Sequence, residues 1–303
     1  MIAIVALGSD ASTILCGNTR GEVLAVFRRS FYIRFGDDVV CVGPQGLGPG
    51  PLNALCALGD HWTSTAWGIA TGAQVSRAGS TLRITRCDPA FDFADAQVWE
   101  PPLPPAFSPA ALQSGLALLA ASTRQRTPGG LGMLLSALPG PFVETSNDPL
   151  LCAALPPICA IRTWLGAALA GSGARPPPIE SLIGLGPGLT PSGDDFLCGL
   201  MTALHYLGHA TIAQRLALCT LPAAVRGTNL ISAAYLRCAS VGHASGVLID
   251  ALQSLVGGGD THLARCLDAV HAVGHTSGWD SLAGAATACA EVSTASHAAA
   301  RVR

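Results

Sequence analysis

The stretch that divides this chain is EPPLPPAFSPAAL, Glu100 to Leu112, with five prolines in its first ten positions. Proline fixes φ, lacks an amide hydrogen and restrains the residue before it, so neither a helix interior nor a sheet interior accepts such a run. The segment predicts a stiff linker. The hydrophobic period differs on its two sides, and that difference sets the fold class.

Upstream the apolar residues come in short, alternating runs. GEVLAVF (Gly21 to Phe27), SFYIRF (Ser30 to Phe35) and VVCV (Val39 to Val42) are separated by Arg-Arg and Gly-Asp-Asp, and STLRITRC (Ser80 to Cys87) and AQVWE (Ala96 to Glu100) follow. Spacing this close predicts antiparallel hairpins. MIAIVALGSDAS at the start reads as a first strand, because no basic residue precedes its apolar run and Asp10 follows it. GLGPG at Gly46 to Gly50 reads as a turn from strand to helix, with Asn53 as a helix cap.

Downstream the period changes to that of a helix. Helices are predicted over Ala110 to Thr123, Ile158 to Leu169, Asp195 to Leu207, Ile212 to Leu221, Asn229 to Ser240, Gly246 to Leu255, Thr261 to Val273 and Trp279 to Val292. The expected architecture is α+β, an antiparallel β-rich N-terminal domain over residues 1–104 and a helical domain over 105–303.

Composition removes several function classes. Half of the 303 residues are apolar and 12% are charged, a globular and not a disordered balance. All seventeen basic residues are arginine, which excludes a Schiff-base lysine, a lysine general base and a P-loop lysine. With a net charge of −2 and no basic cluster, no nucleic-acid partner is expected. Eleven scattered cysteines without a C-x-x-C pair read as small apolar residues of a reduced, cytoplasmic protein. No uninterrupted apolar run of membrane-spanning length is expected, so no membrane partner either.

The chemistry gathers in GLGPGLTPSGDDFLCG, Gly184 to Gly199. Its second half, Ser192 to Gly199, repeats as Ser277 to Gly284 in the pattern S-G-x-D-x-L-x-G, each copy at the start of a predicted helix. Gly242 to Gly246 and Gly274 to Gly278 share G-H-x-S-G. Ser192 with Asp195, and Ser277 with Asp280, have capping-box spacing, a purely structural account. Capping does not require Gly186-Pro187-Gly188 or Thr190-Pro191, and it leaves Asp194 spare. Glycines admit close backbone approach, and free amides at a helix start attract anions. Two such starts facing each other would make a pocket. Asp194, Asp195, His275 and Asp280 are its candidate acids and bases; Gly186, Gly188, Thr190, Ser192, Gly193, Arg226, Thr276, Ser277 and Gly278 are its candidate binding residues. Arg237 is a further candidate clamp for an anion. No cofactor is fixed by these residues, although Mg²⁺ would relieve a phosphate facing two carboxylates.

GLGPGLTPSGDDFLCG, TNLISAAYLRCASVGHASG (Thr228 to Gly246) and GHTSGWDSLAG (Gly274 to Gly284) resemble the AllH-like family, formerly a bacterial domain of unknown function. It is named for the AllH subunit of oxamate carbamoyltransferase, from anaerobic allantoin degradation. The resemblance implies a cytoplasmic subunit acting with AllF-like and AllG-like partners on carbamoyl phosphate or oxamate. It transfers no catalytic residue. Two other readings stay open: a non-catalytic metabolite-binding or assembly subunit, and a metal-assisted hydrolase using Asp194 and Asp195.

Two lesser features have ordinary explanations. Ser122-Thr123-Arg124-Gln125 is similar to the phosphate motif of other carbamoyltransferases, but its fourth residue departs and the β-then-α order does not suit their paired α/β domains. His205 with His209, and His271 with His275, stand i, i+4 without a third ligand, so packed or surface histidines are expected for the first three.

Overall fold

The computed structural model describes residues 1–59, 62–142, 147–259 and 262–302. Two compact units meet in sequence between Pro101 and Pro102, inside the proline-rich segment.

The first unit carries β1 (Ile2–Gly8), α1 (Ser9–Gly17), β2 (Arg20–Val26), β3 (Phe31–Phe35), β4 (Asp38–Pro44), β5 (Asn53–Cys56), β6 (Gln74–Ala78), β7 (Thr81–Ile84), β8 (Phe91–Asp92) and β9 (Gln97–Trp99). The strands run β5-β4-β3-β2-β6-β7-β8-β1, and β1 pairs back to β5, closing an eight-stranded barrel with β9 added along β1. Alternation puts Phe31, Ile33 and Phe35 of β3 inside, where they meet Ile4, Val23, Val42, Val75, Leu82 and Phe91. The expected hairpins β2–β3 and β3–β4 are antiparallel, whereas β4–β5, β1–β8 and β1–β9 are parallel.

One local expectation is corrected here. The residues after GLGPG form β5, not a helix, and Asn53 uses its amide to donate to the Gly48 carbonyl at 3.0 Å instead of capping. Leu52 and Ala54 to Cys56 are buried on consecutive positions. A short continuous apolar run has no period that distinguishes strand from helix.

The second unit carries α2 (Pro109–Thr123), a 3₁₀ segment (Gly130–Ala137), α3 (Pro149–Leu169), α4 (Ser192–Tyr206), α5 (Ala210–Gly227), α6 (Leu230–Ser240), α7 (Gly246–Val256), α8 (Leu263–His271) and α9 (Ser277–Val302). The linker ends because Ser108 accepts from the Ala111 amide and Pro109 takes the first helical position. Helix α4 is buried nearly all round, which makes it the core helix of the unit, and α9 lies directly against it. Around this pair, α5 and α6 pack on α4, and α2 and α3 on α9. Thr261, the expected start of α8, lies outside the described residues.

Helix α3 departs from expectation twice. It begins at Pro149 and not at Ile158, because Asp148 caps the Leu150 and Leu151 amides and Pro156 faces solvent within the helix. Its 21 residues are also apolar and long enough to cross a membrane, with mean hydropathy 1.5, where no such run was expected. One face, with Leu151, Leu155, Ile158, Ile161 and Leu165, is buried in the unit's core, and Arg162 pairs with Glu291 of α9 at 2.8 Å.

Candidate functional site

The repeated S-G-x-D-x-L-x-G pattern builds one helix crossing. A Cβ placed on Gly199 of α4 would lie 1.8 Å from the Ser281 carbonyl oxygen, and one on Gly284 of α9 would lie 1.9 Å from that of Phe196. Gly199 matches Gly284 in the repeat and Phe196 matches Ser281, so the contact is the same from either side: a local two-fold. The earlier glycines are also backbone contacts, Gly193 against the Leu182 carbonyl and Gly278 against that of Val270. Leu197 and Leu282 fill the core. Asp195 and Asp280 each stand four residues before the crossing glycine and therefore share its helix face. The two acids are brought toward each other by the packing of the helices.

Thr190 and Ser277 join the loops, their hydroxyl oxygens 2.7 Å apart. Both acids are buried, Asp195 with 7% of its surface exposed and Asp280 with none. Burial pushes the Asp195 carboxyl well above the usual range; the Ser277 and Thr190 hydroxyls oppose this, and the carboxyls of Asp280 and Asp194 add to it. Burial also raises Asp280, against hydroxyls of Thr276 and Ser192, the Leu131 amide and the charge of His275. Ser277 of one copy thus stands by Asp195 of the other, and Ser192 by Asp280. Asp280 Oδ1 accepts from the Leu131 amide at 2.6 Å, while Asp195 Oδ2 and Asp280 Oδ2 are buried without a hydrogen-bond partner among the described residues.

The capping-box expectation fails on this geometry. Pro191 occupies the cap position of α4 with no side-chain cap bond, and Ser192 lies inside the helix. The Asp195 amide donates to the Pro191 carbonyl at 3.0 Å. Ser245, in the third related loop, does cap its helix by accepting from Leu248 at 3.3 Å.

Asp194 turns the other way. Its Oδ1 accepts from the Gly184 amide at 2.9 Å, and its Oδ2 accepts from the hydroxyls of Thr228 and, at 2.7 Å, Ser232. Asn229 caps α6 and donates to the Leu189 carbonyl at 2.9 Å. Thr228, Asn229 and Ser232, inside TNLIS, therefore fasten the glycine loop to α6. In the second copy Trp279 replaces Asp194 and donates through Nε1 to His271 Nδ1 at 3.1 Å.

The remaining candidates divide. Gly186 and Gly188 hold φ of +110° and +90°, which only glycine adopts without strain, and a side chain on Gly186 would press on Ser192. The Gly193 amide is taken by the Leu185 carbonyl at 2.9 Å, so it drops out of the expected anion cradle. Arg226 is exposed in the last turn of α5, one residue before Gly227, whose carbonyl lies against Gly184. Arg237 is half-buried in the last turn of α6, and His275 is exposed beside Asp280. His205 bonds the Ser240 carbonyl at 2.9 Å, a packed histidine. Among the described residues no cluster of three or more His, Cys, Asp or Glu could hold a metal ion, and all the oxygens of Asp194 are engaged.

Gly129, Gly130 and Leu131 belong to the site without having been read as such. A Cβ on Gly130 would fall 2.3 Å from Asp280 Oδ1, so the glycine, at φ +57°, lets the backbone reach that carboxylate. The signal in the sequence is the Gly129-Gly130 pair, which gives no hint of its distant partner.

No solved structure matches this chain. Residues 182–289 match the family model described as oxamate carbamoyltransferase subunit AllH. That segment contains Asp194, both acids of the crossing and the residues that fasten the loop. Across the region that builds the paired-acid site, this chain is similar to the AllH family.

Proposed function

We propose that this chain is an AllH-like subunit of a carbamoyltransferase-type enzyme, and that the crossing of α4 and α9 is where it meets the carbamoyl group. The observation that carries this reading is the pair of buried carboxyl oxygens, Asp195 Oδ2 and Asp280 Oδ2, that lack partners within the matched segment. A buried polar atom without a partner costs stability, and such atoms gather where a ligand completes the bonding. Carbamoyl transfer forms one bond to the carbamoyl carbon as another breaks, and negative charge develops on its oxygen. A preorganised donor for that oxygen and an acceptor for the NH2 lower the barrier. Asp194, fully bonded, has the role of positioning the loop.

Next to the buried acids the Pro187 to Leu189 turn is exposed. Two surface cavities of about 380 and 430 Å³ are lined by other residues, among them Arg77 and Phe93, and Phe142 and Cys159. AllF-like and AllG-like partners belong to the same proposal. The uncharged outer face of α3, with Cys152, Ala153, Pro156, Cys159 and Ala160 exposed, favours an assembly role alongside catalysis.

The test is a thermal-shift titration of the full chain with carbamoyl phosphate, oxamate and phosphate, each with and without Mg²⁺. A ligand at a hundred times its Kd adds about 2.7 kcal/mol, several degrees for a unit of this size. The carbamoyl-bearing ligands should exceed phosphate. Equal shifts with phosphate and carbamoyl phosphate, and none with oxamate, would reduce the site to an anion cradle.

A further inference from the structure

We infer that Asp195 and Asp280 act as an unlike pair that recognises a primary carboxamide, Asp195 donating a carboxyl hydrogen to its carbonyl oxygen and Asp280 accepting from its NH2. This rests on the carbamoyl reading for the substrate, and on the crossing for the roles. Two carboxylates facing each other in a buried site cannot both ionise, since each raises the cost of the other's charge. Among the described residues neither is hydrogen-bonded to an arginine. One proton therefore stays with the pair.

The backbone two-fold does not decide which acid keeps it, but the surroundings do. Asp280 Oδ1 takes the Leu131 amide at 2.6 Å, a charge-assisted bond that favours the ionised form, and His275 stands on the same side. Asp195 is approached by the hydroxyls of Thr190 and Ser277, which also bond each other, and the charges of both Asp280 and Asp194 oppose its ionisation. The proton belongs to Asp195. A neutral acid beside a carboxylate then offers one donor and one acceptor side by side, the complement of O=C–NH2. A carboxylate or phosphate in the same place would meet Asp280 charge to charge. The anionic end of the ligand must point away, toward the Gly186 to Thr190 turn.

Oxamate and oxalate differ by replacement of the amide with a carboxylate, which makes them the discriminating probes. Calorimetric titration of the full chain should show oxamate binding about tenfold or more tighter than oxalate. Asp195→Asn keeps a hydrogen donor at its position, whereas Asp280→Asn sets NH2 against NH2. The loss for oxamate should be about tenfold or more greater in Asp280→Asn. Infrared spectra of the free proteins give a second readout: a protonated carboxyl band at neutral pH that Asp195→Asn removes and Asp280→Asn keeps. Circular dichroism on each variant confirms that it is folded.

Oxalate binding as tightly as oxamate, a reversed order of the two variants, or no binding of oxamate or carbamoyl phosphate would each overturn the pair. Carbamoyl transfer measured with the partner subunits separates this from the function itself. Turnover that survives Asp280→Asn would reject the pair and keep the transferase. Binding with the expected order but no turnover would keep the pair and reject the transferase.

Discussion

Asp194 and Asp195 are neighbours in sequence and opposite in circumstance. Asp194 has three donors on its oxygens and Asp195 has a bare, buried Oδ2, because consecutive helical residues point about a quarter-turn apart. Their inclusion as a doublet is legible in the sequence; their division of labour is not, since it depends on Thr228, Ser232 and α9, all far along the chain. Ser192 and Asp195 show the same limit, for local spacing suggests a cap while the hydroxyl in fact stands beside Asp280. The raised carboxyl of Asp195 has a consequence for stability. Below the unfolded value of about 3.9, folded and unfolded states both hold the proton and nothing is lost. As pH climbs, the unfolded chain releases it first, so unfolding becomes easier until pH passes the raised folded value. Asp195→Asn should therefore flatten the fall in stability between about pH 4 and neutrality and raise the melting midpoint at pH 7. Melting curves across that range decide it, and an unchanged slope would show that Asp195 ionises freely in the fold.

At the scale of the element, the repeat of S-G-x-D-x-L-x-G is legible as a repeat, and its placement at two helix starts is legible as well. That its last glycine marks a crossing is not, because the atom it spares belongs to the other copy. Ala for Gly in a free helix gains up to about 1 kcal/mol. At Gly199 the new methyl would sit 1.8 Å from a backbone carbonyl that no rotamer change can move. Gly199→Ala and Gly284→Ala should each lose about 1–3 kcal/mol in urea denaturation despite the propensity gain. Gly166 of α3 is the control, with its nearest neighbour the Glu291 carboxylate at 3.7 Å, so Gly166→Ala should hold or gain stability. A gain at Gly199 equal to that at Gly166 would mean that α4 and α9 do not approach so closely. Helix α3 shows a second limit of sequence, for its expected start is Ile158, after Pro156-Pro157, and both prolines in fact lie inside it.

For the whole molecule, the change from strand period to helix period across Glu100 to Leu112 carries the α+β order, and the strands of β2 to β4 follow from their alternation. Barrel closure does not, because β5 and β8 are four and two residues long and their pairing with β1 joins distant parts of the sequence. Each unit has its own core: the buried residues of one cluster lie at or before Phe91, those of the other at or after Leu112. Every residue assigned to the paired-acid site, from Gly129 to Asp280, lies in the second unit. A unit with its own core folds alone as a rule. A fragment of residues 102–303 should thus unfold in one cooperative transition and show the same thermal shift with oxamate as the full chain. A cooperative fragment with no shift would place part of the ligand site in the barrel. Loss of the transition would mean that the helical core needs the barrel to fold, since its buried leucines and alanines would then be insufficient to offset the entropy of ordering the chain.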